Sequence, residues 1–229
     1  MQYASETLDH LNRLFDDRWS CRAFRDEPVA DSVIASILAS AQRTASWCNS
    51  QSWQVTITKG AGTERLRERL LEQVASGAPD EPDFPFPREY RGVYLERRRR
   101  SGFQLYEALQ IARGDKEAYR RQSQQNFRFF GAPHVAIVTT DEALGVYGAV
   151  DCGGFVSNFL LAATAHGVAT IAQAALSRHA RTIREALGIG DDRRMVCGVS
   201  FGYALADDPV NVYRTERAGL DEVLRWAAD

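Results

Sequence analysis

At 229 residues the chain is long enough for one sizeable core or at most two small ones, and its 45% hydrophobic content suits a folded soluble protein. A formal net charge of -2 gives no global reason to expect nucleic-acid or membrane binding. Charge is uneven, however: residues 88–128 hold 11 basic against 5 acidic side chains, enough for a local positive field. The four cysteines, Cys21, Cys48, Cys152 and Cys197, lack CxxC spacing and are expected as free, mostly buried thiols in a reducing compartment. The start, MQYASETLDH, has no basic stretch leading into an apolar run, so no secretory signal is expected and the cytoplasm is the expected location.

In chain order, Leu8, Leu11 and Leu14/Phe15 suggest a short amphipathic first helix. Residues 18–25 are dense in cations and read as loop. A second helix follows Pro28, with Val33, Ile34, Ile37, Leu38 and Ala41 on its apolar face. A polar loop over 44–52 precedes an alternating strand over 53–58, and helical spacing returns over 63–74 through Leu66, Leu70 and Val74. Residues 77–87 carry four prolines and form no regular element. The following stretch, 90–130, is mostly amphipathic helix with little capacity for a core of its own. It is therefore expected as a helical excursion (residues 77–130) from one domain spanning 1–229.

A strand is predicted over 134–139, a central helix over 148–166 and a buried strand over 168–174. Residues 152–176 contain no Asp, Glu, Lys or Arg and could span a bilayer by length. Asn158, His166, Gln173 and the helix-ending His166-Gly167 favour a closely packed core helix followed by a strand. Ser177 is predicted to cap a helix through Ile183 and Leu187 that stops at Gly188. Another strand is expected over 195–205 and a terminal helix over 220–226. No internal repeat is visible.

Several chemistries lack their signatures. There is no GxGxxG after a strand, no GxxxxGK[ST] and no GxSxG, and the histidines at 10, 134, 166 and 179 have no metal-ligand spacing, so no metal is expected. Two polar clusters remain. Arg18-Trp19-Ser20-Cys21-Arg22 offers guanidinium forks and a hydroxyl, suited to a phosphate or an acceptor-rich planar ring; the bland alternative is a solvated basic loop. Residues 46–53, with Ser46, Asn49, Gln51 and two tryptophans, offer both donors and acceptors, or an ordinary turn.

Taken together the clusters resemble the FMN-dependent nitroreductase family, whose N-terminal pattern is approximately R-x-S-x-R-x-F, then P, and later S-x-x-N-x-Q-P-W. Here these are Arg18, Ser20, Arg22, Phe24 and Pro28, then Ser46, Asn49, Gln51 and Trp53, with Ser52 in place of the usual proline. The stretches GAPHVAIV (131–138), NFLLAATAHGVATIAQ (158–173), GYA (202–204) and NVYRTERAGLDEV (211–223) continue the likeness in order along nearly the whole chain, nearest to the nitrobenzoate-reductase-like branch. The resemblance implies an α+β fold: a central mixed sheet of four to five strands surrounded by helices, in an intertwined homodimer.

By the same resemblance Arg18, Ser20 and Arg22 bind FMN, one arginine at the phosphate and the other at the N1/C2 carbonyl edge. Ser46 reaches the flavin of the partner subunit, Asn49 and Gln51 shape that place, and the backbone at Ala172, Gln173 and Ala174 faces the N5/O4 side. Arg217 and Arg214 match C-terminal phosphate contacts, although their spacing departs from the family's closely spaced basic pair. No catalytic side chain is expected, because the cofactor carries the chemistry. NADH or NADPH would reduce the flavin and leave, and a small aromatic oxidant such as a nitroaromatic would bind the same face. Phe103, Tyr106, Phe127, Phe129 and Phe130 are candidate aromatic walls for it. Reductive dehalogenation, quinone or enone reduction and flavin fragmentation occur on related folds, and a non-catalytic flavin binder is a different class. The mixed charge and helical packing of residues 88–128 weigh against a nucleic-acid arm.

Overall fold

The computed structural model describes residues 2–227. Its frame is a four-stranded sheet of β1 (Trp53–Ile57), β2 (His134–Asp141), β3 (Ala169–Gln173) and β4 (Arg193–Gly202), in the order β1-β2-β4-β3. The three strand pairings are antiparallel, and a parallel bridge from Ser20 to Thr170 adds the mixed element at the β3 edge. Residues along β2 alternate between faces, as the two-residue period of a strand requires. Ala136 and Val138 join one core layer and Val135 and Ile137 the other. A register shift between Val138 and Thr139 reverses this parity on the paired strand, placing Met195 in the layer opposite Val199 and Phe201.

Helices cover both faces. On one lie α2 (Asp31–Ala41) and the long α6 (Gly145–Ala165), whose Phe155 and Phe159 are buried against Trp53 and Phe201. Burying each such ring contributes about 2–3 kcal/mol relative to leaving it exposed. On the other lie α3 (Ala61–Ala75), through Leu66 and Leu70, and α7 (Ala180–Leu187), through Ile183. The remaining helices are α1 (Gln2–Asp17), α4 (Gly92–Ala108) and α5 (Lys116–Gln124). Gly148 permits the close approach of α6 to β2, because a Cβ there would overlap the Thr140 side chain. Gly188 ends α7 in the left-handed conformation, φ 64°, as its position suggested.

By length and composition α6 could cross a membrane. Its buried Cys152, Phe155, Val156 and Phe159 nevertheless form a core face. Its opposite face exposes Val146, Tyr147 and Val150 beside Gly153, Gly154 and Ser157.

Three expectations change. Ser177 does not cap α7: it lies in a 3-10 turn, Ala174–His179, and its hydroxyl donates to the Val196 carbonyl at 3.0 Å. Residues 220–226 are not a helix beyond the three-residue turn Leu220–Glu222, since Leu220, Val223, Leu224 and Trp226 all stay exposed. An amphipathic helix that short draws its stability from tertiary burial, and here its apolar face has none within the chain. Phe127 and Phe129 are not walls of a cleft but core residues, Phe127 against His179 and Phe129 fully buried beneath Arg67.

The proline-rich stretch after α3 is irregular, as expected, yet firmly tied. Buried Asp83 accepts the Met195 backbone N–H at 2.7 Å and faces Arg184 Nε at 3.3 Å. Beyond it α4 buries no residue and α5 only Ala118. All four cysteines are free; burial pushes Cys21 and Cys152 up to about 11 and Cys197 up to about 12, so these thiols stay protonated and inert.

Candidate functional site

The Arg18–Arg25 segment is laid beside the far end of the sheet by backbone bonds: Cys21 N–H to Thr170 O at 2.9 Å and Arg25 N–H to Tyr203 O at 2.8 Å. That placement turns Arg18, Ser20 and Arg22 into a cleft of about 650 Å³, where Tyr213, Arg214, Thr215 and Arg217 of the C-terminal segment meet them. Among the described residues none of these four arginines is ion-paired to a carboxylate. Arg214 donates to the Asn211 and Tyr213 carbonyls and lies 4.3 Å from the centre of the Trp19 ring. Arg217 donates to Thr215 and to the Glu216 carbonyl at 3.1 Å. Burial, and next the like charge of Arg217, lower the Arg18 guanidinium from its ordinary value. Cations crowded in this way are relieved by an anion.

Arg22 also lines a second cleft, of about 300 Å³, with Tyr106, Gln122, Ser123, Asn126, Phe130 and residues 171–175. Ser20 and Cys21 meet the outer edge of β3 at Thr170, and beyond that point the edge at Ala172 and Ala174 opens to this cleft. An unpaired strand edge presents backbone donors and acceptors to a ligand. The Gln173 side chain takes no part: it is buried, bonded by its amide to Asn126 O at 3.0 Å and accepting from the Ser200 hydroxyl. Its backbone is paired with Gly198 of β4. Tyr106 stacks on Tyr119 at 4.1 Å, giving the cleft a flat aromatic wall, while Phe103 lies outside both clefts beneath Arg113.

The second cluster lies elsewhere. A 3-10 turn, Trp47–Asn49, follows Ser46, whose Oγ accepts the Gln51 backbone N–H at 2.9 Å. Cys48, Asn49 and Gln51 all adopt positive φ, costly conformations for side chains other than glycine's. Gln51 reaches back to Asn49 and accepts from the Gln42 amide at 2.9 Å. Asp151 of α6 fastens the loop by accepting from the Trp47 N–H at 3.1 Å and from the Ser50 hydroxyl at 3.4 Å. Ser52 donates to the Gly148 carbonyl at 3.3 Å. This cluster thus sits at the N-terminal half of α6.

The arginine basin sits by the other end of α6, where Trp19 borders a cavity with Thr164, Gly167 and Thr170. From Asp151 to Ala165 the helix rises about 21 Å. One chain therefore brings Arg18, Ser20, Arg22, Arg214 and Arg217 together, with Arg22 also at the Ala172–Ala174 edge, but does not join Ser46, Asn49 and Gln51 to them. Three residues escaped the sequence reading. Asp151 left one trace, as the last acid before the uncharged run. Buried Asn211 accepts the Arg22 N–H at 2.8 Å and donates to the Ala23 and Leu205 carbonyls at 2.9 and 2.8 Å. Tyr213 accepts from Arg22 Nη1 at 3.0 Å. Neither of the last two stands in a local pattern that points to Arg22.

The fold and the clefts define an α+β protein with an open sheet edge beside an arginine-rich basin, a site for a planar ligand with an anionic tail. The nitroreductase family profile matches residues 16–203. Nitroreductase NfnB of Mycolicibacterium smegmatis is 38% identical over 217 residues, covering 94% of this chain and 92% of its own. Nitrobenzene nitroreductase of Ectopseudomonas oleovorans is 32% identical over 219 residues, with 94% and 96% covered. The crystal structure of the FMN-dependent nitroreductase NfnB from Mycobacterium smegmatis in complex with NADPH superposes with a TM-score of 0.92 at 36% identity, over 97% of this chain and 100% of that one. The chain belongs to the nitroreductase family.

Proposed function

We propose that this protein is an FMN-dependent oxidoreductase that uses NADH or NADPH to reduce nitroaromatic compounds, as a homodimer with its flavin sites at the subunit interface. Family membership and relatives described as FMN- and NADPH-dependent nitroreductases support the activity. The observation that carries the site assignment is the basin of four arginines without carboxylate partners beside an open strand edge. Its donors fit FMN: a phosphate dianion suits guanidiniums, and the acceptor-rich ring edge suits a guanidinium fork.

Arg18, Arg214 and Arg217, which line the larger cleft and not the smaller, hold the phosphate with Ser20. Arg22, shared by both clefts, meets the pyrimidine edge of the ring and stabilises negative charge there. The backbone of residues 172–174 meets the ring's other polar edge. FMN bound here supplies two-electron redox chemistry, so no protein nucleophile or metal is required. Tyr106, backed by Tyr119, and Phe130 wall the space next to the strand edge and favour a flat aromatic oxidant.

The two ends of α6 support the dimer reading. Its exposed face, with Val146, Val150 and the small Gly153, Gly154 and Ser157, allows close packing on a second copy. A two-fold axis across α6 brings Ser46, Asn49 and Gln51 of one subunit towards the arginine basin of the other. One domain over residues 1–229, with the excursion at 77–130 as cover, and a cytoplasmic location with its thiols reduced complete the reading.

Purified protein tests it: a yellow sample with an FMN spectrum, bleached anaerobically by NADH or NADPH and reoxidised by nitroaromatics, is the expected result. Protein that retains no FMN, or holds flavin that neither nicotinamide reduces, rules the proposal out.

A further inference from the structure

Arg22 is the one arginine common to both clefts, so its aim decides what the ring edge meets. Its Nη1 is already engaged, donating to the Ser20 carbonyl at 3.2 Å and to the Tyr213 hydroxyl at 3.0 Å. Nη1 carries two protons, so these bonds use both. The Nε and Nη2 donors have no hydrogen-bond partner among the described residues. They form the flat two-donor side of the guanidinium, the side that matches two adjacent acceptors in one plane. The centre of the Tyr213 ring lies 5.9 Å from the guanidinium carbon. Tyr213 is itself fixed, because Asn211, two residues earlier, is buried, and two of its three hydrogen bonds lock the C-terminal segment to the backbone at residues 22 and 23 while the third reaches the Leu205 carbonyl.

We propose that Tyr213 is a positioning residue for the flavin: its hydroxyl and the Ser20 carbonyl occupy Nη1 of Arg22 and so present Nε and Nη2 to the pyrimidine edge of the isoalloxazine. This rests on the FMN reading above. The reduced flavin carries its negative charge at that edge, so a guanidinium held in register favours the reduced over the oxidised cofactor. Burial raises the Tyr213 phenol from its ordinary value against the opposing effect of Arg22, so it remains protonated and accepts from Arg22 as a neutral oxygen.

Tyr213→Phe is the test, since it keeps the ring and removes only the hydroxyl at a half-buried position. The measurements are FMN affinity by fluorescence titration and the midpoint potential of the bound flavin, with circular dichroism to verify the fold. We expect oxidised FMN to bind about threefold more weakly, in line with one hydrogen bond of modest net worth. Reduced FMN should lose about tenfold more than that, equivalent to a potential about 30 mV more negative for a two-electron couple. Tyr213→Leu, which also removes the ring, should shift both quantities further. An unchanged potential in folded Tyr213→Phe, whether or not affinity falls, overturns the positioning role. Failure of the wild-type protein to bind FMN overturns the cofactor reading, and this proposal with it.

Discussion

The basin around Arg22 and the loop around Ser46 both gather polar side chains, but they are assembled over different lengths of chain. Arg22 is held by Asn211 across 189 residues of sequence, whereas Ser46 closes its own turn on Gln51 five residues away. The basin exists only when the C-terminal segment is docked, so it reports tertiary structure. The Ser46 loop is a local unit pinned to α6 by Asp151, with its polar groups largely exposed. Within one chain α6 separates the two.

The largest effect expected from disturbing this arrangement is on cofactor binding. Arg22→Glu replaces a donor by an anion facing acceptor atoms. Losing a charge-assisted hydrogen bond costs about 1.5–3 kcal/mol and reversal costs more, so FMN affinity should fall by more than about a hundredfold in a folded protein. Flavin titration measures it, and an affinity near wild type would return Arg22 to the status of a solvated loop residue.

Asn211→Ala attacks the same half through its support. It leaves the Arg22 N–H and two carbonyls without their partner, and unfolding in urea should show a loss of about 2–3 kcal/mol with weaker FMN binding. Ser46→Ala removes one acceptor from the other half. Stability should fall by only about 1 kcal/mol, because the turn stays wet and pinned by Asp151. A loss from Ser46→Ala as large as that from Asn211→Ala would erase the contrast between a docked basin and a local loop.

A smaller effect distinguishes both halves from the core behind them. Neutral His134 accepts the Val29 N–H on Nε2 at 3.0 Å and contacts the Thr58 carbonyl through Nδ1 at 3.1 Å. Burial lowers its pKa, with the Thr58 bond and Asp31 acting in the opposite direction and Lys59 adding to the lowering. A histidine whose folded value is depressed takes up its proton first in the unfolded chain. Its contribution is therefore complete above about pH 6.5, the ordinary histidine value, and is lost as pH falls from there towards the folded value. Denaturation between pH 7.5 and 5.5 should show stability declining, and His134→Gln should flatten that slope.

Legibility in the sequence followed the same division. The four strands and the helices α2, α3, α6 and α7 announce themselves through apolar spacing, because a residue's burial is set by the geometry of its own element. The Arg18–Arg22 and Ser46–Gln51 motifs were visible as local clusters, and Gly188 as a stop. What escaped depends on chain brought from far away. Asn211 and Tyr213 gain their meaning only beside Arg22, and Ser177 turned its hydroxyl to β4 rather than to a helix. Phe127 and Phe129 read as aromatic walls because composition does not say which side of an excursion faces the core. Residues 220–226 carry helical spacing with no surface to bury it against.

The central claim is that a complete site takes one half from each subunit, and a tagged heterodimer tests it most directly. One subunit carries Arg22→Glu and the other Ser46→Arg, each folded and each defective as a homodimer. In the heterodimer both lesions fall in one site, leaving the second with intact Arg22 and intact Ser46. The account predicts recovery of one FMN per dimer together with NAD(P)H-dependent nitroreduction at that site. A folded heterodimer that recovers neither binding nor turnover would contradict it.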